Sequence, residues 1–238
     1  MARSVVLYSM DISHYCVSAE RMLAYKGIRY RKVYAPYHDR QALLRATGQD
    51  YVPALVWDGR AVPWEAIPSF LEERVASPTL FPDGTRALAE ILENWGHQVL
   101  EERVWRAVVT DILPALKSDE ERWVFEEMQA RSRGSWAVLR ARRREFERDL
   151  QPYLGLVDGM LEGRDWLLDR PSVADFGIYG GLSPWMTAGR AIPAKWRNLR
   201  RWAGRIAALE DRPMVEPVPS EGHRASARRG TKRARSRF

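Results

Sequence analysis

Residues 13–16 read Ser-His-Tyr-Cys, and Cys16 is the only cysteine in the chain. One sulfur excludes an intrachain disulfide and a zinc cluster built from thiolates. Cys16 falls in the first turn of a helix, where its type allows three roles. It can react and form a mixed disulfide, sit beside a bound thiol, or pack inward as a small hydrophobe. His14 stands two residues away, a spacing that does not bring two side chains face to face on a helix. Ser13, just ahead of that turn, is a good N-cap, its hydroxyl oxygen accepting from a free amide of the helix start.

The pattern around these residues defines the elements that carry them. VVLYS (5–9) is a short apolar, β-branched run and reads as a buried strand. Val17, Met22, Leu23 and Tyr25 recur at helical spacing up to Lys26, and Gly27 stops the helix. RYRKVYA (29–35) predicts a second strand and DRQALLRATG (39–48) a helix ending at Gly48. Two strand runs, 53–57 and 60–62, flank Asp58-Gly59, a strong hairpin signal. A helix over 64–76 follows, with Pro68 in its first turns. The order is βαβα-ββα.

Residues 76–86 are rich in Pro, Gly and Asp and read as a linker; everything after them reads helical. Apolar residues keep helical spacing over 87–113. Residues 117–133 give a short helix and a loop, 136–163 a long helix bent at Pro152, 171–189 an apolar helix and 193–209 an amphipathic one. Ser172 and Asp175 form a capping box with Asp in place of the usual Glu. Trp95, Trp105, Trp136 and Trp202 lie on apolar helix faces, as core or interface residues.

The formal net charge of +7 is concentrated at one end. The last twenty residues hold seven Lys/Arg and one acid, leaving the body nearly neutral. Residues 213–238 are therefore expected to be a disordered basic tail. It suits at most a weak, unspecific contact with nucleic acid or an anionic surface, because it has no interleaved aromatics and no folded basic face. No apolar run reaches the ~18–20 residues of a membrane span, and the start lacks a signal-peptide pattern, so the expectation is a cytoplasmic protein.

This organisation resembles the glutathione S-transferase superfamily, in which a thioredoxin-like domain is joined to an all-helical domain. SHYCVSAERMLAYKGIRY (13–30) resembles its first loop and helix, Val-Pro-Ala-Leu (52–55) its Val-Pro-x-Leu motif, and Ser-Val-Ala-Asp-Phe (172–176) its helical-domain capping box. The resemblance implies a thioredoxin-like α/β domain over 1–77, a linker over 78–86 and a helical bundle over 87–212. A homodimer is implied as well.

It also implies a chemistry: a thiolate brought onto an electrophile, with no metal required. Ser13 would donate a hydrogen bond to the thiolate of glutathione or a related thiol. Val52, before a cis Pro53, would pair its backbone with the cysteinyl part of that ligand, as an added strand does. A glutaredoxin-type reductase acting through Cys16 fits less well, because Ser13 stands where such an enzyme has its attacking cysteine.

The family usually starts its third helix with an acid and a serine that hold the γ-glutamyl group. Here Pro63 and Trp64 stand in those places. Glu65 follows, within reach of an ammonium group, and Trp64 would fill the volume of the γ-glutamyl carboxylate. Met10, Ile12, Trp105, Val109 and Trp185 are candidate linings for a small hydrophobic electrophile. Two functions follow: a glutathione transferase-like enzyme performing conjugation, thiol-dependent cleavage or isomerisation, or a non-catalytic binding or scaffold protein that keeps the fold.

Overall fold

The computed structural model describes residues 4–210 and 213–214. Its amino-terminal half is the expected βαβα-ββα unit. The elements are β1 (Val5–Ser9), α1 (His14–Tyr25), β2 (Tyr30–Tyr34), α2 (Gln41–Thr47), β3 (Ala54–Trp57), β4 (Arg60–Pro63) and α3 (Ile67–Arg74). The sheet runs β4-β3-β1-β2, with β1 parallel to β2 and antiparallel to β3. Leu7 in central β1 pairs with Lys32 on one side and Leu55 on the other. A central strand meets core on both faces, which is why Val5, Val6 and Leu7 form a continuous apolar run. The β3–β4 hairpin closes through Asp58 (φ 49°) and Gly59 (φ 83°), the two left-handed residues a tight type I′ turn needs.

Ser13 caps α1, its hydroxyl oxygen accepting from the Cys16 amide at 3.4 Å. The expected helix over 64–76 begins later than its pattern suggests. Trp64–Ala66 form a single 3₁₀ turn, and α-helical bonding starts at Ile67, where Pro68 falls in the first turn and loses no bond.

The linker is held rather than loose. Leu80 is wholly buried, and its carbonyl accepts from the Val173 amide at 3.1 Å. The buried ammonium of Lys26, at the end of α1, donates to Glu72 at 2.8 Å and to the Pro78 carbonyl at 2.9 Å. The two halves also meet through Glu121, which accepts from the Tyr34 hydroxyl at 2.8 Å.

The helical half comprises α4 (Arg86–Trp95), α5 (Glu101–Val108), α6 (Asp119–Arg133), α7 (Trp136–Ala141), α8 (Arg143–Met160), α9 (Val173–Thr187) and α10 (Arg197–Ala207). α4 and α5 form one rod, joined by a wide π-type turn at Gly96–Leu100. Two expectations change here. Residues 119–133 are a full helix, because Ser118 caps it with a 3.1 Å bond from the Glu121 amide. The expected helix over 136–163 breaks at Arg142. Arg142 lies at φ −92° and ψ 4°, outside the α-helical range, its amide donating to the Val138 carbonyl and its carbonyl accepting from the Glu145 amide.

The capping box at α9 is present and more connected than its motif suggests. The Asp175 carboxylate accepts from the Ser172 amide (3.0 Å), the Leu167 amide (2.9 Å) and the Trp202 indole (2.8 Å). It thus ties α9 to α10 and to the preceding loop.

The expected tail boundary is corrected: Pro213–Met214 add a short parallel strand, β5, beside β2. An unpaired edge of β2 is open to such pairing. The rest of the expected tail lies outside the described residues. Among the described residues, no helix is long and apolar enough to cross a membrane.

Candidate functional site

Three helices bring the site together, and glycine decides how closely they approach. A β-carbon on Gly180 of α9 would meet the His14 carbonyl oxygen of α1 at 2.6 Å, and one on Gly181 would meet the Gly96 carbonyl oxygen at 2.1 Å. The bare face of α9 therefore lets α1 and the α4–α5 rod pack against it side by side. The result sets His14, at the start of α1, against Glu101, at the start of α5, with Nδ1 to Oε1 at 3.6 Å.

These residues border a cleft of about 410 Å³ between the two halves. Ser13 and Val52 line it, as expected for the thiol end, together with Tyr15. The Val52–Pro53 peptide is cis. The opposite side is built by Glu101 and Trp105 from α5 and by Met128, Gln129 and Arg133 from α6, with Tyr37 and Tyr51 completing aromatic walls.

The other expected residues fall elsewhere. Cys16 is wholly buried, its sulfur accepting from the Met10 amide at 3.4 Å, and burial pushes its thiol up to about 11. A reactive thiol needs exposure and a lowered pKa, so the reactive role for Cys16 is corrected to packing. Pro53 and Trp64 border a separate crevice of about 10 Å³. The Trp64 ring rests on Tyr15, centroids 4.2 Å apart, so Trp64 does not line the main cleft. Glu65 is exposed on the 3₁₀ turn. Among the five candidate pocket linings only Trp105 reaches the cleft. Met10, Ile12 and Val109 are core, and Trp185 is buried with its indole donating to the Ala191 carbonyl at 3.0 Å.

Sequence reasoning missed the polar floor. Glu101 is almost wholly buried, facing His14 from α1 and Arg133 from α6 at 3.3 Å. Burial pushes its carboxyl up to about 7, against the pull of Arg133 and with a further push from Glu102. Arg133 is shared, donating to Glu102 at 3.0 Å and to the Gln129 side chain at 2.6 Å. Burial holds the His14 imidazole well below its usual range, with His97 and Arg133 adding to the effect, so it is neutral at pH 7. His97, on the π-type turn, is driven down to about 3 by burial. Among the described residues, no group of three or more His, Cys, Asp and Glu side chains is arranged to hold a metal ion.

Residues 7–67 match the model of the glutathione S-transferase N-terminal domain. That match covers about a quarter of the chain and establishes the likeness of the amino-terminal half to this domain. Solved structures share the architecture of about nine-tenths of the chain at low identity. Glutaredoxin 2 from Salmonella typhimurium, in complex with glutathione, superposes with a TM-score of 0.71 at 18% identity, covering 89% of this chain and 98% of its own. A glutathione S-transferase from Rhodospirillum rubrum gives 0.66 at 20% identity, covering 92% and 97%. Another from Methylobacterium radiotolerans, in complex with glutathione sulfonate, gives 0.61 at 23%, covering 91% and 98%. At these identities the likeness establishes the fold. No curated protein is similar enough to match the chain.

Proposed function

We infer that the cleft binds glutathione or a related low-molecular-weight thiol and transfers it to an electrophile. The observation that carries this reading is the pairing of Ser13 and Val52 on one wall of the cleft, at the N-terminus of α1. A thiolate placed there meets a hydroxyl donor and the positive end of a helix dipole, both of which favour the ionised sulfur. Val52 offers its backbone to the peptide part of the ligand. The electrophile occupies the far side, against Trp105 and Tyr37. The glutathione-bound glutaredoxin and the transferase bound to glutathione sulfonate, which share the fold, support the same ligand class. A cytoplasmic homodimer completes the reading, supported by apolar side chains left exposed on α4, Leu88 and Ile91.

A second reading has its own observation. Trp64 packs on Tyr15 where the family usually has a serine, so the γ-glutamyl end lacks that partner. This favours a binding or scaffold protein that keeps the fold without the glutathione site.

Calorimetric titration of glutathione into the wild type and Ser13→Ala separates the two. The transferase reading expects micromolar to low-millimolar binding, with the variant's complex holding a less ionised thiol. Absence of heat and of thermal stabilisation at high glutathione would leave the scaffold reading.

A further inference from the structure

We propose that Glu101 is the general acid of the electrophile half of the cleft, and that the enzyme accordingly cleaves electrophiles whose leaving atom is a basic oxygen, an aryloxide or alkoxide. The proposal rests on the thiol-transfer reading and names the substrate class of the same site.

The geometry separates two tasks across one cleft. Ser13 and Val52 serve the thiol wall, and Glu101 stands on the opposite helix, almost wholly buried yet lining the cavity. A carboxyl group in that place is poorly suited to a purely apolar pocket, which would be better filled by an aliphatic side chain. Its surroundings allow both protonation states. The charged and titratable groups facing it are His14 and Tyr15 on α1, Arg133 on α6, and Glu102 on its own helix, with His97 behind His14. On α9, a β-carbon at Gly181 would stand 3.5 Å from the Glu101 amide nitrogen. Arg133 offsets the ionised form, but that arginine is divided between Glu101 and Glu102, and burial favours the neutral form. The outcome is a carboxyl poised near pH 7, the condition under which a general acid is most effective. His14 stands beside the carboxyl on the side of Ser13, its Nδ1 3.6 Å from Oε1.

The step balances without a further reactant. The thiolate sulfur bonds to the carbon that carries the leaving oxygen. The C–O bond breaks, its electron pair goes to the oxygen, and the oxygen takes the proton of the Glu101 carboxyl. The next incoming thiol gives its own proton back to Glu101 as it ionises. The sum is a thiol plus an ether giving a thioether plus an alcohol or phenol. A halide leaving group needs no such proton, and the tyrosine and tryptophan walls suit an aryl group on the leaving side.

The test compares p-nitrobenzyl chloride with p-nitrobenzyl aryl ethers of graded phenol pKa, with glutathione, on the full-length wild type and Glu101→Gln. The expected result is an ether-to-chloride ratio of kcat/KM roughly 100-fold lower in the variant than in the wild type, the gap growing with phenol pKa. The wild-type pH profile gives a second readout that needs no variant: bell-shaped for the ethers, with only a rising limb for the chloride. Equal losses on both substrates, or identical pH profiles, would overturn the acid role of Glu101 while leaving thiol transfer intact. Turnover of the chloride alone by the wild type would overturn the substrate class. Turnover of neither, with no glutathione binding, would overturn the thiol-transfer reading and this proposal with it.

Discussion

Gly181 of α9 faces the Gly96 carbonyl oxygen so closely that a β-carbon on Gly181 would sit 2.1 Å from it. Both partners are backbone, so no side-chain rotation relieves the clash. Everything that places His14 against Glu101 passes through this crossing. Gly181→Ala is expected to cost about 3 kcal/mol, lowering the melting temperature by roughly 6–12 °C. Gly204→Ala is the matched control, since a β-carbon there meets nothing within 4 Å and the site is an exposed turn of α10. It is expected to be neutral or to stabilise by up to about 1 kcal/mol through helix propensity. Thermal melts of the two variants beside the wild type check both. Equal effects would mean that the close crossing does not matter.

The boundary between what the sequence reveals and what it hides follows the range of the interactions. The βαβα-ββα order, the Ser13 cap and the Asp175 capping box are written in local periodicity and in residues three apart, so they are legible. Cys16 was open between chemistry and packing, because burial depends on what covers the helix start. Glu101 and Arg133 belong to no motif, and no local pattern pairs residues on α5 and α6. The glycines of α9 read only as part of an apolar helix. Their role as a contact surface exists only once α1 and the α4–α5 rod lie against them. Trp64 was expected inside the ligand volume by alignment of motifs. The 3₁₀ turn that carries it, and the Tyr15 ring that receives it, lie beyond what the motif encodes.

Glu93 gives the fold a pH dependence of predictable sign. It lines the narrow crevice with His97, and burial, with Glu90 adding, pushes its carboxyl up to about 8. The unfolded chain has it near the ordinary glutamate value of about 4.3. The folded state therefore holds a proton that the unfolded state has lost at intermediate pH. This group's stabilising contribution is complete below about pH 4.3 and is lost as pH rises through about 8. Glu93→Gln removes the titration while keeping the shape. The variant should match the wild type near pH 4.5 and exceed it increasingly up to pH 9, by roughly 2 kcal/mol, the full linkage value being reduced by the side chain's partial exposure. Denaturant melts at four pH values give the difference curve. A difference that does not grow with pH would show that Glu93 ionises freely in the folded protein.

Leu88 and Ile91 stand one helical turn apart on α4, 50% and 65% exposed. Large apolar side chains grouped on one face of a helix are costly in water and commonly mark a contact surface. The neighbouring side chains on α4 do not cover them, and the rod they belong to also carries Glu101 at the start of α5, so a partner seated here would brace the helix that builds the cleft. A second copy of the chain is the partner implied by the homodimer reading. Light scattering of the wild type is then expected to give twice the chain mass. Ile91→Glu, which places a charge in the centre of the patch, is expected to give the single-chain mass with an unchanged circular dichroism spectrum. A wild type that runs as a single chain at tens of micromolar would remove the homodimer from the reading. A variant that stays dimeric would move the interface to another face, and the exposed pair on α4 would then need a different occupant.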